Sequence, residues 1–196
     1  VCAGVPTIWL GLLDYLDRSG KRIDSLQRTL VGGAAASGRM MAAYRERYGV
    51  DVVQGWGMTE LSPIGTTNIA TAADAALEGE ARRRFDEQIG QPLFGVEVKL
   101  AGENGETLPW DGRSAGRLKV RGPWVCSAYF RLDSSASHDD AGWFDTGDMA
   151  VAAPDGRLRI TDRTKDVIKS GGEWISSIDL ENVAMTHPDV AVAAVV

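Results

Sequence analysis

Between Thr7 and Gly57 the sequence alternates between helical and extended hydrophobic periods, and this restricts the fold more than any single motif. From Thr7 to Arg18, Ile8, Leu12, Tyr15 and Leu16 recur at helical spacing, with Asp14 and Asp17 off that face. Ser25 to Val31 leads into a small-residue turn, Gly32-Gly33-Ala34-Ala35. Ser37 is placed to cap a helix over Gly38–Tyr48, and Asp51–Gln54 reads as a short strand. Helix, strand, helix, strand predicts a layered α/β sheet with ligand loops at strand ends.

The texture then changes. Thr71–Gln88 is Ala-rich and charged, and reads either as an exposed helix or as a solvated connector. From Gly90 onward come short strands, Val96–Leu100, Arg117–Val120 and Arg157–Ile160, punctuated by Gly, Asn, Asp and Pro. This predicts a β-rich, barrel-like subdomain. After Lys165 the pattern gives a strand over Val167–Lys169, a Gly pair, and a helix from Ser177 to Met185 with Ser177 as its cap. His187-Pro188 ends that helix. The expected organisation is therefore an α/β segment over 1–89, a β-rich segment over 90–164, and a hinge with the start of a further α+β domain over 165–196.

Composition narrows the function classes. A formal net charge of -6 argues against general affinity for nucleic acid or an anionic membrane. No apolar run approaches the ~20 residues that a membrane-spanning helix requires. Cys2 and Cys126 are too few for a disulfide framework, and with His138 and His187 they make no spaced metal motif. The opening VCAGVPTIWL lacks the basic region and cleavage site of a signal peptide, so a reducing cytoplasm is expected. The chain has no initiator Met and closes on the apolar run DVAVAAVV; the expectation is a fragment of a larger protein.

Three stretches carry residue types suited to chemistry. In QGWGMTE, Gly55 and Gly57 flank Trp56, a flat stacking face that a ligand can approach along the backbone. Thr59 adds a hydroxyl, and Glu60 a carboxylate able to hold a hard cation or its waters. Together they suit a nucleotide with magnesium on its phosphates, although a strand-to-turn corner with a core Trp has the same composition. In GWFDTGD, Asp145 and Asp148 flank a Thr-Gly turn. A carboxylate there can take both hydroxyls of a ribose or simply brace its own turn. In DRTKDVIKSGGEW, Arg163 offers planar donors to ribose and phosphate, or belongs to a surface charge run.

In this order QGWGMTE, GWFDTGD and DRTKDVIKSGGEWIS resemble consecutive core motifs of the acyl-adenylate-forming superfamily, which includes acyl-CoA synthetases, firefly luciferase and peptide-synthetase adenylation domains. AGVPT at Ala3–Thr7, GGAA at Gly32–Ala35 and GRLKVRGPWVCSAYF at Gly116–Phe130 match in sequence order as well, and VIKSGGEWISSIDLEN is most similar to the medium- and long-chain fatty-acyl-CoA synthetase branch. The resemblance implies the C-terminal part of the large adenylate-forming domain, a layered α/β region plus a β-barrel-like subdomain, followed by the start of a small α+β lid. It implies ATP, magnesium and CoA, with a fatty acid as substrate.

Carried over by position, Trp56 packs on adenine, with Gly32, Gly33 and Ala34 lining its other side. Thr59 bonds the α-phosphate, Glu60 holds magnesium, Asp148 takes the ribose hydroxyls and Arg163 the ribose–phosphate edge. Pro6 and Thr7 lie near the acyl pocket. Lys165 is the hinge about which the lid turns, and Gly171, Gly172 and Glu173 help form the pantetheine channel. The family's upstream phosphate loop and its lid lysine have no match, so the isolated chain is expected not to form acyl-AMP. Two other readings stay open: an adenylating enzyme for an aryl acid, an amino acid or a carrier-protein acceptor, and a non-catalytic nucleotide- or partner-binding module.

Overall fold

The structure, a computed structural model, describes residues 1–132, 137–165, 168–170, 173–185, 187, 189–190 and 193–195. The chain divides into two compact units, Val1–Leu93 and Phe94–Val196.

The first unit is built on a five-stranded sheet. Strands β1 (Cys2–Gly4), β2 (Arg28–Val31) and β3 (Asp51–Gly57) run parallel. Strand β4 (Ile64–Thr67) pairs antiparallel with β3, and β5 (Gln91–Pro92) antiparallel with β4. Helix α1 (Pro6–Ser19) begins with Pro at its first turn, where the missing N–H does no harm, and stops at Gly20 in the left-handed conformation. Helix α2 (Gly38–Tyr48) matches its expected bounds. Ser37 caps it by accepting from Met40 N, and Gly49 closes it.

The buried face of α1 is one residue out of step with the expected one. Trp9, Leu13 and Leu16 are buried, whereas Ile8 and Tyr15 are at least half exposed. Trp9 decides this: its ring meets Tyr44 of α2 edge-on at 5.9 Å, and the Tyr44 hydroxyl donates to Trp9 O at 2.7 Å. These two aromatics join Met40, Met41, Val31, Val50 and Val52 in one core. Each such side chain contributes about 1.5–3 kcal/mol by leaving water. Burial, with the nearby Tyr48, pushes the Tyr44 hydroxyl up to about 12. The 71–88 segment is two short helices rather than one, α3 (Ala72–Ala75) and α4 (Gly79–Asp86). Residues 76–78 separate them, α4 opens on Gly79 at φ +56, and α4 buries Arg82, Phe85 and Asp86.

The second unit is an antiparallel meander of β6 (Glu97–Ala101), β7 (Gly116–Arg121), β8 (Phe144–Ala152) and β9 (Leu158–Arg163). Leu100, Leu118, Val120, Phe144, Ala150 and Leu158 form its buried side. The sheet is open: among the described residues no pairing joins β6 to β9 to close a barrel. A hairpin, β10 (Ile168–Ser170) with β11 (Glu173–Ile175), precedes helix α5 (Ser177–Ala184). The cap of α5 is Ser176, one residue earlier than expected, because its hydroxyl accepts from Asp179 N. Ser177 instead binds the buried carboxylate of Asp162 on β9, through its N at 2.8 Å and its hydroxyl at 3.0 Å.

Candidate functional site

In the first unit the candidate residues gather at the C-terminal ends of β2 and β3. Gly32–Ala36 leaves β2 as a loop, with Gly33 at φ +83, where a side chain would be strained. A Cβ on Gly32 would stand 3.0 Å from Gly55 O, so this loop runs against β3. A Cβ on Gly33 would stand 3.3 Å from Val5, the residue before Pro6. Pro6 is buried at the start of α1 and Thr7 is exposed beside it. Gly33 and Ala34 are exposed, so the loop offers backbone rather than bulk.

On β3, Gly55 pairs with Thr67, Trp56 with Thr66, and Gly57 with Ile64 across an irregularity in register. Trp56 is half-buried, its ring lying over Gly65, where a Cβ would come within 2.7 Å of it. Thr59, Glu60 and Leu61 form a single 3-10 turn. Leu61, 1% exposed, anchors it, which leaves Thr59 exposed and Glu60 half-buried on the outer side. Among the described residues no three His, Cys, Asp or Glu side chains gather as a metal-binding group. Magnesium does not require such a group, since it keeps most of its waters and takes one or two carboxylates, of the kind Glu60 carries, plus phosphate oxygens.

In the second unit GWFDTGD is not a turn between two aspartates. Asp145 and Asp148 both lie on β8, with Gly147 at φ +73 between them. Asp145 braces the strand: its carboxylate accepts from Gly147 N at 3.1 Å and pairs with Arg117. Asp148 is directly opposite Arg163 of β9, and their side chains meet at 2.9 Å, Arg163 Nε to Asp148 Oδ1. Asp148 is buried while the Arg163 side chain is 55% exposed, so the carboxylate is held from within and the guanidinium faces outward. Thr146 Oγ1 donates to Leu118 O and accepts from Asp148 N; Thr164 N reaches Gly147 O. Lys165, just past β9, is exposed. Gly171 and Gly172 lie outside the described residues, and of Glu173 only the backbone is described.

Two residues matter that motif reading passed over. Gln54, which opens QGWGMTE, is 6% exposed and its amide bonds Ala36 N and Asp86 O. Asp162 is 1% exposed and carries α5. A lone amide in the apolar run DVVQG is the one sequence signal for the first, since a buried amide needs partners.

These clusters define a class of protein. Over 99% of its length the chain matches 35% of the crystal structure of the anthranilate CoA ligase AuaEII in complex with anthranoyl-AMP, with a TM-score of 0.82 and 27% identity. The fold is thus the adenylate-forming one, over its C-terminal part. The chain belongs to the AMP-binding enzyme family, whose match covers residues 1–130. It is 51% identical over 193 residues to the 3-methylmercaptopropionyl-CoA ligase of Ruegeria lacuscaerulensis, covering 98% of this chain and 36% of that one. It is 44% identical to the medium-chain-fatty-acid–CoA ligase of Ectopseudomonas oleovorans, covering 100% and 36%. The chain therefore spans about 36% of the length of these curated relatives. Among the described residues no helix is long and apolar enough to cross a membrane.

Proposed function

We propose that the whole protein is an AMP-forming acid–thiol ligase that activates a fatty acid with ATP and passes the acyl group to CoA in the cytoplasm. The observation that carries this reading is the Asp148–Arg163 pair, an inward-held carboxylate beside an outward guanidinium, on a chain whose relatives bear CoA-ligase names. In the first step a substrate carboxylate oxygen attacks the α-phosphorus of ATP, the bond to the bridging oxygen breaks, and pyrophosphate leaves. In the second the deprotonated thiol of CoA attacks the acyl carbon and AMP leaves.

Trp56 stacks on adenine, and the backbone of half-buried Gly32 and of exposed Gly33 and Ala34 lies along the base's other face. Gly55 and Gly57 keep the strand on either side of Trp56 free of side chains. Thr59 donates its hydroxyl to an α-phosphate oxygen, where negative charge builds. Asp148 accepts from the ribose hydroxyls, sharing its carboxylate with Arg163, which turns its remaining donors to the phosphate edge. Magnesium, held by Glu60 through oxygen, would neutralise the departing phosphates. Pro6 and Thr7 border the acyl chain. Lys165 is the pivot of a lid beginning at 165, and Gly171, Gly172 and Glu173 belong to the pantetheine channel. The 196-residue chain alone is inactive in this reading.

A second substrate is favoured by one observation. The 51% relative is named for a short thioether acid, against 44% for the medium-chain fatty-acid ligase. Measuring kcat/KM of the full-length protein for 3-methylmercaptopropionate and for C4 to C16 fatty acids decides between them. A maximum at C8 or longer supports the fatty-acid reading. A maximum at the thioether acid replaces it, and activity with an aryl or amino acid alone overturns both.

A further inference from the structure

Gln54 sits where three elements of the first unit meet. Its backbone carbonyl accepts from Asn68 N at 2.8 Å. Its side-chain Oε1 accepts from Ala36 N at 3.0 Å, and its Nε2 donates to Asp86 O at 2.5 Å. Ala36 ends the loop that starts at Gly32, and Asp86 ends α4. The link does not stop there. The Asp86 side chain is 2% exposed and is held by Arg82 Nε of its own helix at 2.8 Å and by Arg45 Nη2 of α2 at 2.9 Å. Helix α2 begins at Gly38, directly after that loop. The circuit therefore closes: loop, α2, Arg45, Asp86, Gln54, loop. Side chains alternate along a strand, so Gln54 and Trp56 share one face of β3.

We infer that Gln54 is a positioning residue for the nucleotide base: it clamps the Gly32–Ala36 loop at a fixed height over β3 and so sets the gap between that loop and Trp56. The inference rests on the reading that Gly32–Ala34 and Trp56 receive adenine. A clamp of this kind acts on a ligand's fit and leaves the reacting atoms alone. It also explains why a polar side chain occupies the buried end of the apolar run Val52-Val53. An apolar residue there would strand Ala36 N and Asp86 O without partners inside the protein.

The test uses the full-length protein and steady-state kinetics with ATP and with GTP. Gln54→Met keeps the volume and removes both bonds. It is expected to raise KM for ATP by about tenfold with kcat changed less than about threefold, and to narrow the preference for ATP over GTP. Gln54→Glu keeps Oε1 as acceptor for Ala36 N but turns a second acceptor toward Asp86 O, so it is expected to raise KM for ATP as Gln54→Met does. A Gln54→Met protein with a lower Tm but native KM for ATP and native base preference would overturn the inference, because that is what a purely structural amide gives.

Trp56→Ala separates the two levels. If it leaves KM for ATP unchanged, the adenine reading of this unit fails. If it raises KM while Gln54→Met does not, only the role of Gln54 fails. Should Gln54→Met not fold, Arg45→Met opens the same circuit from a partly exposed end, its side chain being 32% exposed. KM for ATP is then expected to rise about threefold at constant kcat, and an unchanged KM would overturn the inference.

Discussion

At the scale of single residues, Asp148 and Arg163 share one strand ladder but differ in burial. The carboxylate is buried on β8 opposite β9, while the guanidinium reaches it from an exposed side chain. Removing the negative charge should therefore affect ligand binding more than folding. Asp148→Asn in the full-length protein is expected to weaken ATP binding about tenfold or more, since a charged acceptor is lost. Its Tm should stay within a few degrees of native, because Arg163 remains solvated. Calorimetric titration with ATP checks the first and thermal melting the second; unchanged ATP affinity would remove Asp148 from the site.

Asp139 shows how a similar surface carboxylate serves structure instead. Burial alone would raise it, but the Trp143 N–H and the ammonium groups of Lys119 and Lys99 outweigh that and hold it at about 2, against an ordinary 3.8. Lys119 lies at 2.9 Å and Lys99 at 3.6 Å. A folded value below the unfolded one means that the stabilisation is complete above about pH 4 and is lost as pH falls toward about 2. The carboxylate is 31% exposed, so after screening the effect is about 1 kcal/mol. Denaturant midpoints of native and Asp139→Asn protein should differ at pH 6 and converge near pH 2. A gap that persists there would refute this account of Asp139.

At the scale of elements, local signals and distant ones separate cleanly. Ser37 and the bounds of α2 were legible because capping is settled within three residues. The face of α1 was read one residue out because Trp9 chooses its neighbour 35 residues away, in Tyr44. The break between α3 and α4 ends at Gly79, the first residue of α4, whose φ of +56 no hydrophobic period announces. FDTGD was read as a turn because Gly and Asp favour turns, yet its backbone stays in the β8 ladder with a shift in register at Met149/Ala150. Asp148 and Arg163 were each singled out in separate motifs, and the strand register sets them opposite one another on β8 and β9, whereas Gln54 was not singled out, its partners being 18 and 32 residues distant.

Helix α5 supplies the test at this scale. It joins β9 through Asp162, which also accepts from Arg163 N at 2.7 Å, and through Ser176, whose hydroxyl donates to Thr161 O. Asp162→Ala is expected to loosen the start of α5 by about 1–3 kcal/mol while sparing the β6–β8 core. Hydrogen exchange should quicken over 176–180 and stay native over 97–101 and 116–121. Native exchange in α5 would show that Asp162 does not hold it.

At the scale of the whole molecule, the chain belongs to the AMP-binding enzyme family and spans about 36% of the length of its curated CoA-ligase relatives, and the ligation reaction is proposed for the full-length protein. The motifs told this much because the same residue types recur in the same order. They did not yield the acid, because a substrate pocket is assembled from contacts dispersed along a chain. Adenylation demands a nucleotide, a metal and a carboxylate together; in the proposed reading Trp56, Asp148 and Arg163 serve the first and Glu60 the second. The isolated 196-residue chain is accordingly expected to release no pyrophosphate with any acid.

The most direct test is acid-dependent pyrophosphate release by the full-length protein with ATP and magnesium but without CoA. The account predicts a burst close to one pyrophosphate per active site, with acyl-AMP retained until CoA converts it to acyl-CoA and AMP. Pyrophosphate release that does not depend on a carboxylic acid, or ATP cleaved to ADP and phosphate, would contradict it.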